Sequence, residues 1–549
     1  MNFLPTSVAL CLLAALPAQT QAPASPRPHV LIDTVGPDGW RARLGPTNLG
    51  SLLESEQGRS MWQPQMLPLF GLWQQLAGDD ATFAAAKARM LGFAGRVRFG
   101  VWLHEGKLEH QGVARLLLVI DGDGRTDLTT LAADLRQLQK SLPGTWADQE
   151  LGGAKVAVLA KDDDAMTAPT VVGNSLVVAM SSADELATAF TEGQRWAAAA
   201  TGKPPAPTTP ALQVDVDIAA IVALAKAAGD ADEAKLMDTC GLDSLGRLTA
   251  SIGGAGPHVQ FELAQHFTPA PRGLFAAFFP PVQGLPALQQ LAPKDAASWR
   301  LGHCDFQALY DTVLAVLVSL FADPRQDVRA EMKEELGIDV GPDLIAHMTT
   351  DVAVIGSPLA GLDRPTDFTW TIAVLLRDEL AFAKSLDTLL LKSKPTLSRE
   401  ATTTIGGIEC HRYGNMFGYD LWFAVGQRTF LLAGGRDAED QLTTAITALQ
   451  ASLTAAPTPG AAATAFTDLT KVLPPGHNGV ARGDLDSLFA VPTEWWSLLL
   501  RELLPFGGEP VDDPEAREKT RALLKEHHLG SVRTATGYAD SVWRWRLFW

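Results

Sequence analysis

Phe368-Thr-Trp-Thr-Ile-Ala-Val-Leu-Leu376 is an apolar run of strand length, and it opens the stretch on which the fold turns, residues 367–450. A helix-like segment follows at 379–391. A hairpin-like run through Gly406-Gly407 comes next, then a second apolar run at 421–432 and a closing helix from Asp437. Short apolar runs joined by turns of hairpin length favour antiparallel sheets.

Working outward, a weaker copy of this order is expected earlier in the chain. Gly152-Gly153 pairs with Gly406-Gly407 at an offset of 254, and Gly173 pairs with Gly426 at 253. Leu44, Gly45, Asn48 and Leu52 pair with Leu301, Gly302, Asp305 and Leu309, each at 257. Asn48 and Asp305 stand where a helix cap is needed, since their side-chain oxygens can accept an orphan backbone N–H. Asp217-Ile218-x-x-Ile221 likewise matches Asp484-Leu485-x-x-Leu488. The expected fold class is therefore α+β, with two tandem duplicated halves of antiparallel sheet and helices packed on one face. The halves fall at 39–267 and 296–549, joined by a Pro-rich connection at 268–295.

Pro293-Lys-Asp-Ala296 precedes a strand, an Asp-capped helix follows, and a later strand has the charged end Leu375-Leu-Arg-Asp378. On these residues the chain resembles a bacterial family of secreted proteins known as a domain of unknown function, the match running best over 291–450. The resemblance implies export and a fold; it brings no catalytic residues.

The 549 residues suffice for several cores, and 46% hydrophobic content is that of a globular chain. Sixty-two acidic residues against 45 basic ones give a formal net charge of −17. That field repels phosphate backbones, which argues against nucleic-acid binding. Residues 8–16 form an apolar core of signal-peptide length, followed by Pro17 and the small-x-small site Ala22-Pro23-Ala24. Residues 1–24 are read as a signal peptide, although 1–7 hold no Lys or Arg, so a periplasmic or extracellular location is expected. No later segment reaches the ~18–20 apolar residues of a membrane helix. Removing Cys11 with the signal leaves Cys240, Cys304 and Cys410, with no C-x-x-C. Whether any two of these three form a disulfide stays open.

Several polar clusters invite chemistry. In His303-Cys304-Asp305, alternation on a strand puts His303 and Asp305 on one face and Cys304 on the other, while Asp305 also serves as a cap. Cys410-His411 sits after the Gly407 turn, where neighbours face apart and the thiol reads as buried. Leu242-Asp-Ser-Leu245 and Leu485-Asp-Ser-Leu488 resemble an esterase block without its glycine. Asp121-Gly-Asp-Gly-Arg-Thr-Asp127 has the alternating carboxylates of a calcium loop in the wrong frame, so it reads as a turn with Asp127 capping the helix 128–140. His527-His528 ends a charged helix, where the dipole favours histidine.

The expectation is an exported binding or envelope-associated protein, with no catalytic, cofactor or metal residues and an unidentified protein or envelope partner. The alternative is an exported hydrolase with an unrecognised site where the halves meet, drawing on His303 and Asp305.

Overall fold

Leu176-Val177-Val178-Ala179 is apolar at every position, with no alternation. In a strand successive side chains point to opposite faces, so such a run has to be covered on both sides. The structure, a computed structural model, describes residues 27–56, 84, 88–103, 113–139, 144–161, 163–292, 298–321, 327–357, 368–392, 398–414, 421–454, 473–484 and 514–549. The expected signal segment 1–24, the Pro293–Ala296 tetrapeptide and Leu485-Asp-Ser-Leu488 lie outside them. Two units are distinguished. The first holds the described residues up to Lys235 plus Gly246–Gln265; the second holds Leu236–Leu245 and those from His266 onward.

Apart from Leu245 and residues 266–267, the first unit carries β1 (Val30–Val35), β2 (Arg96–Leu103), β3 (Val113–Asp121), β4 (Thr145–Leu151), β5 (Ala154–Lys161), β6 (Asp164–Thr167), β7 (Thr170–Val172), β8 (Ser175–Ser182), β9 (Leu212–Asp217), β10 (Leu245–Ala255) and β11 (His258–Phe267). The order β10-β9-β1-β2-β3-β8 is antiparallel throughout. Beyond β8 come β7 and β6, then β5 and β4. Its helices are α1 (Pro37–Leu44), α2 (Asn48–Glu54), α3 (Leu128–Gln139), α4 (Leu186–Ala198) and α5 (Ile218–Ala228), with most of α6 (Ala231–Thr239).

The second unit carries β12 (Ser298–His303), β13 (Met348–Gly356), β14 (Trp370–Leu376), β15 (Ser398–Ile405), β16 (Ile408–Gly414), β17 (Leu421–Gly426), β18 (Thr429–Gly434), β19 (His477–Asp484), β20 (Ser531–Ala539) and β21 (Val542–Phe548). They run in the order β21-β20-β19-β12-β13-β14-β18-β17-β16-β15. Its helices are α7 (Gly273–Phe278), α8 (Phe306–Phe321), α9 (Val328–Leu336), α10 (Glu379–Lys392), α11 (Ala438–Thr454) and α12 (Pro514–Glu526).

The expected fold class is corrected: within each unit the described strands pair in one unbroken antiparallel order, and helices cover both faces of it rather than one. In the first unit α3 packs on Leu176 and Val178, whereas α4 packs on Val177 and Ala179, which point the opposite way. In the second unit α10 packs with Phe430 and Leu432, and α11 with Leu431 and Ala433. The physical reason is the unbroken apolar run: both parities of β8 and of β18 need cover.

The expected duplication is not shown either, and its alignment fails in detail. Leu44 ends a helix and Gly45 caps it, while Leu301 and Gly302 are strand residues. Asn48 is not a cap. Thr47 is the cap of α2, its hydroxyl accepting from the Gly50 N–H at 3.0 Å, so Asn48 does not match the true cap Asp305. Gly173 turns with a positive φ of 55°, but Gly426 is an ordinary strand residue, and Gln427 and Arg428 make that turn at φ 53° and 56°. Residues 421–432, one apolar run in the sequence, therefore form the hairpin β17–β18, and β7–β8 is a hairpin through Gly173.

Gly50 shows how tightly the first unit is built. A Cβ there would lie 1.9 Å from the Leu44 carbonyl oxygen, which is main chain and cannot swing aside. Gly50→Ala is expected to destabilise the protein by about 3 kcal/mol or more. Gly153→Ala, at φ 77° with open space around it, should cost only about 1–2 kcal/mol. Urea unfolding midpoints of the two variants check the order.

Candidate functional site

Arg96 and Arg98 stand two residues apart on β2, so both side chains leave the same face of the sheet. Cross-strand partners share a face, which puts Asp33 and Leu31 of β1, Asp215 of β9, and Asp121 of β3 on it as well. Arg247 of β10 joins them across from Asp217. The three arginines each bond an aspartate diagonal to them. Arg96 forks onto Asp33, with Nε 2.7 Å from Oδ1. Arg98 donates to both oxygens of Asp121 at 2.7 and 2.8 Å. Arg247 donates through Nε to Asp215. Diagonal neighbours are far enough apart that only long side chains span them, which suits arginine.

Helix α4 sets the edge of this surface. It lies over β3 and β8, where Gly193 leaves no room for a Cβ against Val177 and Leu117. At its last turn the Trp196 carbonyl accepts from Arg98 Nη2 at 2.9 Å, a cation at a helix C-terminus, where the dipole favours it. The Arg98 guanidinium lies 5.6 Å from the Trp196 ring centre. The ring reaches this position because residue 100 is glycine: a Cβ there would meet it at 2.7 Å. Beyond the helix end the sheet face stays open. It forms a cleft of about 290 Å³ lined by Arg27, Leu31, Arg96, Arg98, Trp196 and Arg247.

The electrostatics are those of a fixed cationic patch. The Asp33 hydrogen bond holds the Arg96 guanidinium above its ordinary pKa, against the opposing effect of burial. Arg98 is 9% exposed and Asp121 6%, and Ser175 Oγ adds a third hydrogen bond to Asp121 at 2.7 Å. Of the four guanidiniums that line the cleft, Arg96, Arg98 and Arg247 are each bonded to an aspartate, and Arg27 has no carboxylate partner among the described residues; Asp217, the N-cap of α5, stands across from Arg247 on the same face.

The residues singled out from the sequence are built into structure elsewhere. His303 is held through Nδ1 by Asp351 at 3.0 Å and through Nε2 by the Gly284 carbonyl at 2.9 Å. Neither ring nitrogen is left bare to take a proton from a nucleophile. Asp305 caps α8, accepting from the Ala308 N–H at 3.0 Å, and makes no bond to His303. Between them Cys304 has its thiol pushed up to about 11, by burial first and by Asp305 second, which keeps it protonated and inert. Cys410 is fully buried with its thiol also pushed up by burial, while burial and then Arg399 lower the His411 imidazole. Cys240, Cys304 and Cys410 are all free thiols.

Ser244 of the Leu242–Leu245 block is fully buried, donating to the Gly241 carbonyl at 2.6 Å and accepting from the Arg272 N–H at 3.2 Å. In the 121–127 turn Asp123 is spent on the N–H groups of Ala94, Arg125 and Thr126, which hold it low although burial acts to raise it. Asp127 accepts from Thr130 Oγ1 and the Thr129 N–H, capping α3. His528 takes φ 56° at the end of α12. Among the described residues no group of three His, Cys, Asp or Glu side chains is arranged to hold a metal ion, and no helix is long and apolar enough to cross a membrane.

No family model and no curated protein matches the chain. Three crystal forms of TP0453 match among solved structures at 8–10% identity, covering 44–46% of this chain and 74–78% of theirs, with TM-scores of 0.18–0.22. Likeness at that level carries no argument about fold or function.

Two measurements test this geometry. Removing one partner of a buried pair leaves an uncompensated charge, so Arg98→Met and Asp121→Leu should each cost about 3–5 kcal/mol. The double variant should cost clearly less than their sum, a coupling that a double-mutant cycle in urea reads directly. At the other network, burial acts to raise the Asp351 carboxyl, but the bonds from His303 and the Ala287 N–H hold it below the usual range. A depressed carboxylate stabilises the fold above its unfolded pKa of about 3.9 and loses that contribution as pH falls through its folded value. The stability gap between wild type and Asp351→Asn should therefore narrow below about pH 4, as followed by denaturation at stepped pH.

Proposed function

We propose that this chain is an exported, non-catalytic binding protein and that the arginine-lined cleft of the first unit is its ligand site. The observation that carries this reading is a contrast. The described His, Cys, Ser and Asp groups that the sequence singled out are tied to caps, turns and neighbouring strands. The cleft instead presents charged donors and an aromatic wall to solvent. Its guanidiniums are already oriented by Asp33, Asp121 and Asp215, so a ligand meets them without reorganisation, which favours binding. Export rests on the apolar core at 8–16 with its small-residue site.

The hydrolase alternative drew on His303 and Asp305, and their separate hydrogen-bond commitments weigh against it. A chemically broad panel of neutral, cationic and anionic small molecules, followed by thermal shift and by a generic ester and amide turnover assay, tests the reading. At least one compound should raise the melting temperature of the full chain without being consumed, and Trp196→Leu with Arg247→Gln should abolish the shift. Turnover that survives in that variant, or binding that it leaves unchanged, overturns the proposal.

A further inference from the structure

The cleft also constrains what it can hold. We infer that its ligand is a compact organic monoanion, one carboxylate carried on a flat apolar body. This rests on the cleft being the ligand site.

Charge is the first constraint. Arg96, Arg98 and Arg247 are each bonded to an aspartate, so Arg27 is the one guanidinium of the lining left to be matched among the described residues. A second negative charge on the ligand would be brought towards Asp33 and Asp215 without a matching cation. The donors are suitably placed. A guanidinium has five N–H groups. The bonds to Asp33 use Nε and Nη2 of Arg96, and the bond to Asp215 uses Nε of Arg247. Both side chains remain about two-fifths exposed. Guanidinium forks match planar, two-oxygen acceptors, which describes a carboxylate.

Shape is the second constraint. Between the arginines the lining is apolar: Leu31, Pro28 and the half-buried Trp196. The indole is braced from below by the Gly100 position and from the side by Trp102, whose ring centre is 6.0 Å away. A rigid aromatic wall beside a cation stacks flat apolar groups well. At about 290 Å³ the space is at the low end for ligand sites, enough for a single-ring acid and too small for a nucleotide or a polymer segment. Inorganic phosphate would leave the apolar wall uncovered and bring a surplus charge at neutral pH.

Calorimetric titration of the full chain with benzoate, benzamide and inorganic phosphate tests this. Benzoate should bind, and benzamide, the same shape without the charge, should bind at least about tenfold more weakly. Arg27→Gln and Arg247→Gln should each weaken benzoate by about tenfold, with the Arg27 variant keeping the wild-type melting temperature because that side chain is exposed. Trp196→Leu should weaken benzoate while leaving phosphate unaffected. Benzamide binding as well as benzoate would overturn the charge argument, and phosphate binding more tightly would overturn the apolar one. Failure of all three probes, alongside a neutral or cationic hit that Trp196→Leu with Arg247→Gln abolishes, would sink this inference and leave the binding-protein reading standing.

Discussion

A guanidinium cannot shed its charge to enter a protein, so a buried arginine dictates what surrounds it. Arg98 is the clearest case in the first unit. Its charge is met by Asp121 on the next strand and by the Trp196 carbonyl at the end of a helix. Those three bonds tie β2 to β3 and to the end of α4. Because α4 stops there, it covers β3 and β8 but not β1, β9 and β10. The polar half of the sheet face is left open, and that open half is the cleft. Gly100 makes the same arrangement possible from the other side by admitting the indole. The site is a by-product of solving one burial problem.

The acidic character of the chain has a parallel explanation. Many carboxylates among the described residues are consumed locally as acceptors. Asp123 gathers three backbone N–H groups, Asp127, Asp217, Asp305 and Asp327 cap helices, and Asp351 holds a histidine and a loop amide. Aspartate in such turns satisfies donors that would otherwise be orphaned. Carboxylates spent in this way are poor metal ligands and poor catalytic bases, which is why the alternating aspartates of the 121–127 turn make a turn.

Much of the fold was legible residue by residue. The helices at 128–140 and 379–391 appear within two residues of their expected bounds, because their periodicity is strong. The misses have identifiable causes. The hairpin at Gln427-Arg428 uses two non-glycine residues at positive φ, a turn without the usual glycine or proline mark. Cover on both faces is written in the unbroken apolar run Leu176-Val177-Val178-Ala179, against the expectation of helices on one face. The Arg96-x-Arg98 alternation is a visible sign of one polar sheet face, but the aspartates that answer it lie 23 and 63 positions away in sequence.

The sequence by itself determined what local chemistry can determine: where chains turn, where helices are capped, which runs must be buried, and the overall acidic balance. Only the tertiary structure decided which carboxylate meets which guanidinium. The three pairs are separated by 23, 32 and 63 positions and are joined by strand register alone. A slip of one residue would turn each of those side chains to the opposite face. Nothing local encodes that register. It is set by the burial of β3 and β8 beneath α4, and the arginine cleft exists because that packing chose one face for the charges and left it uncovered.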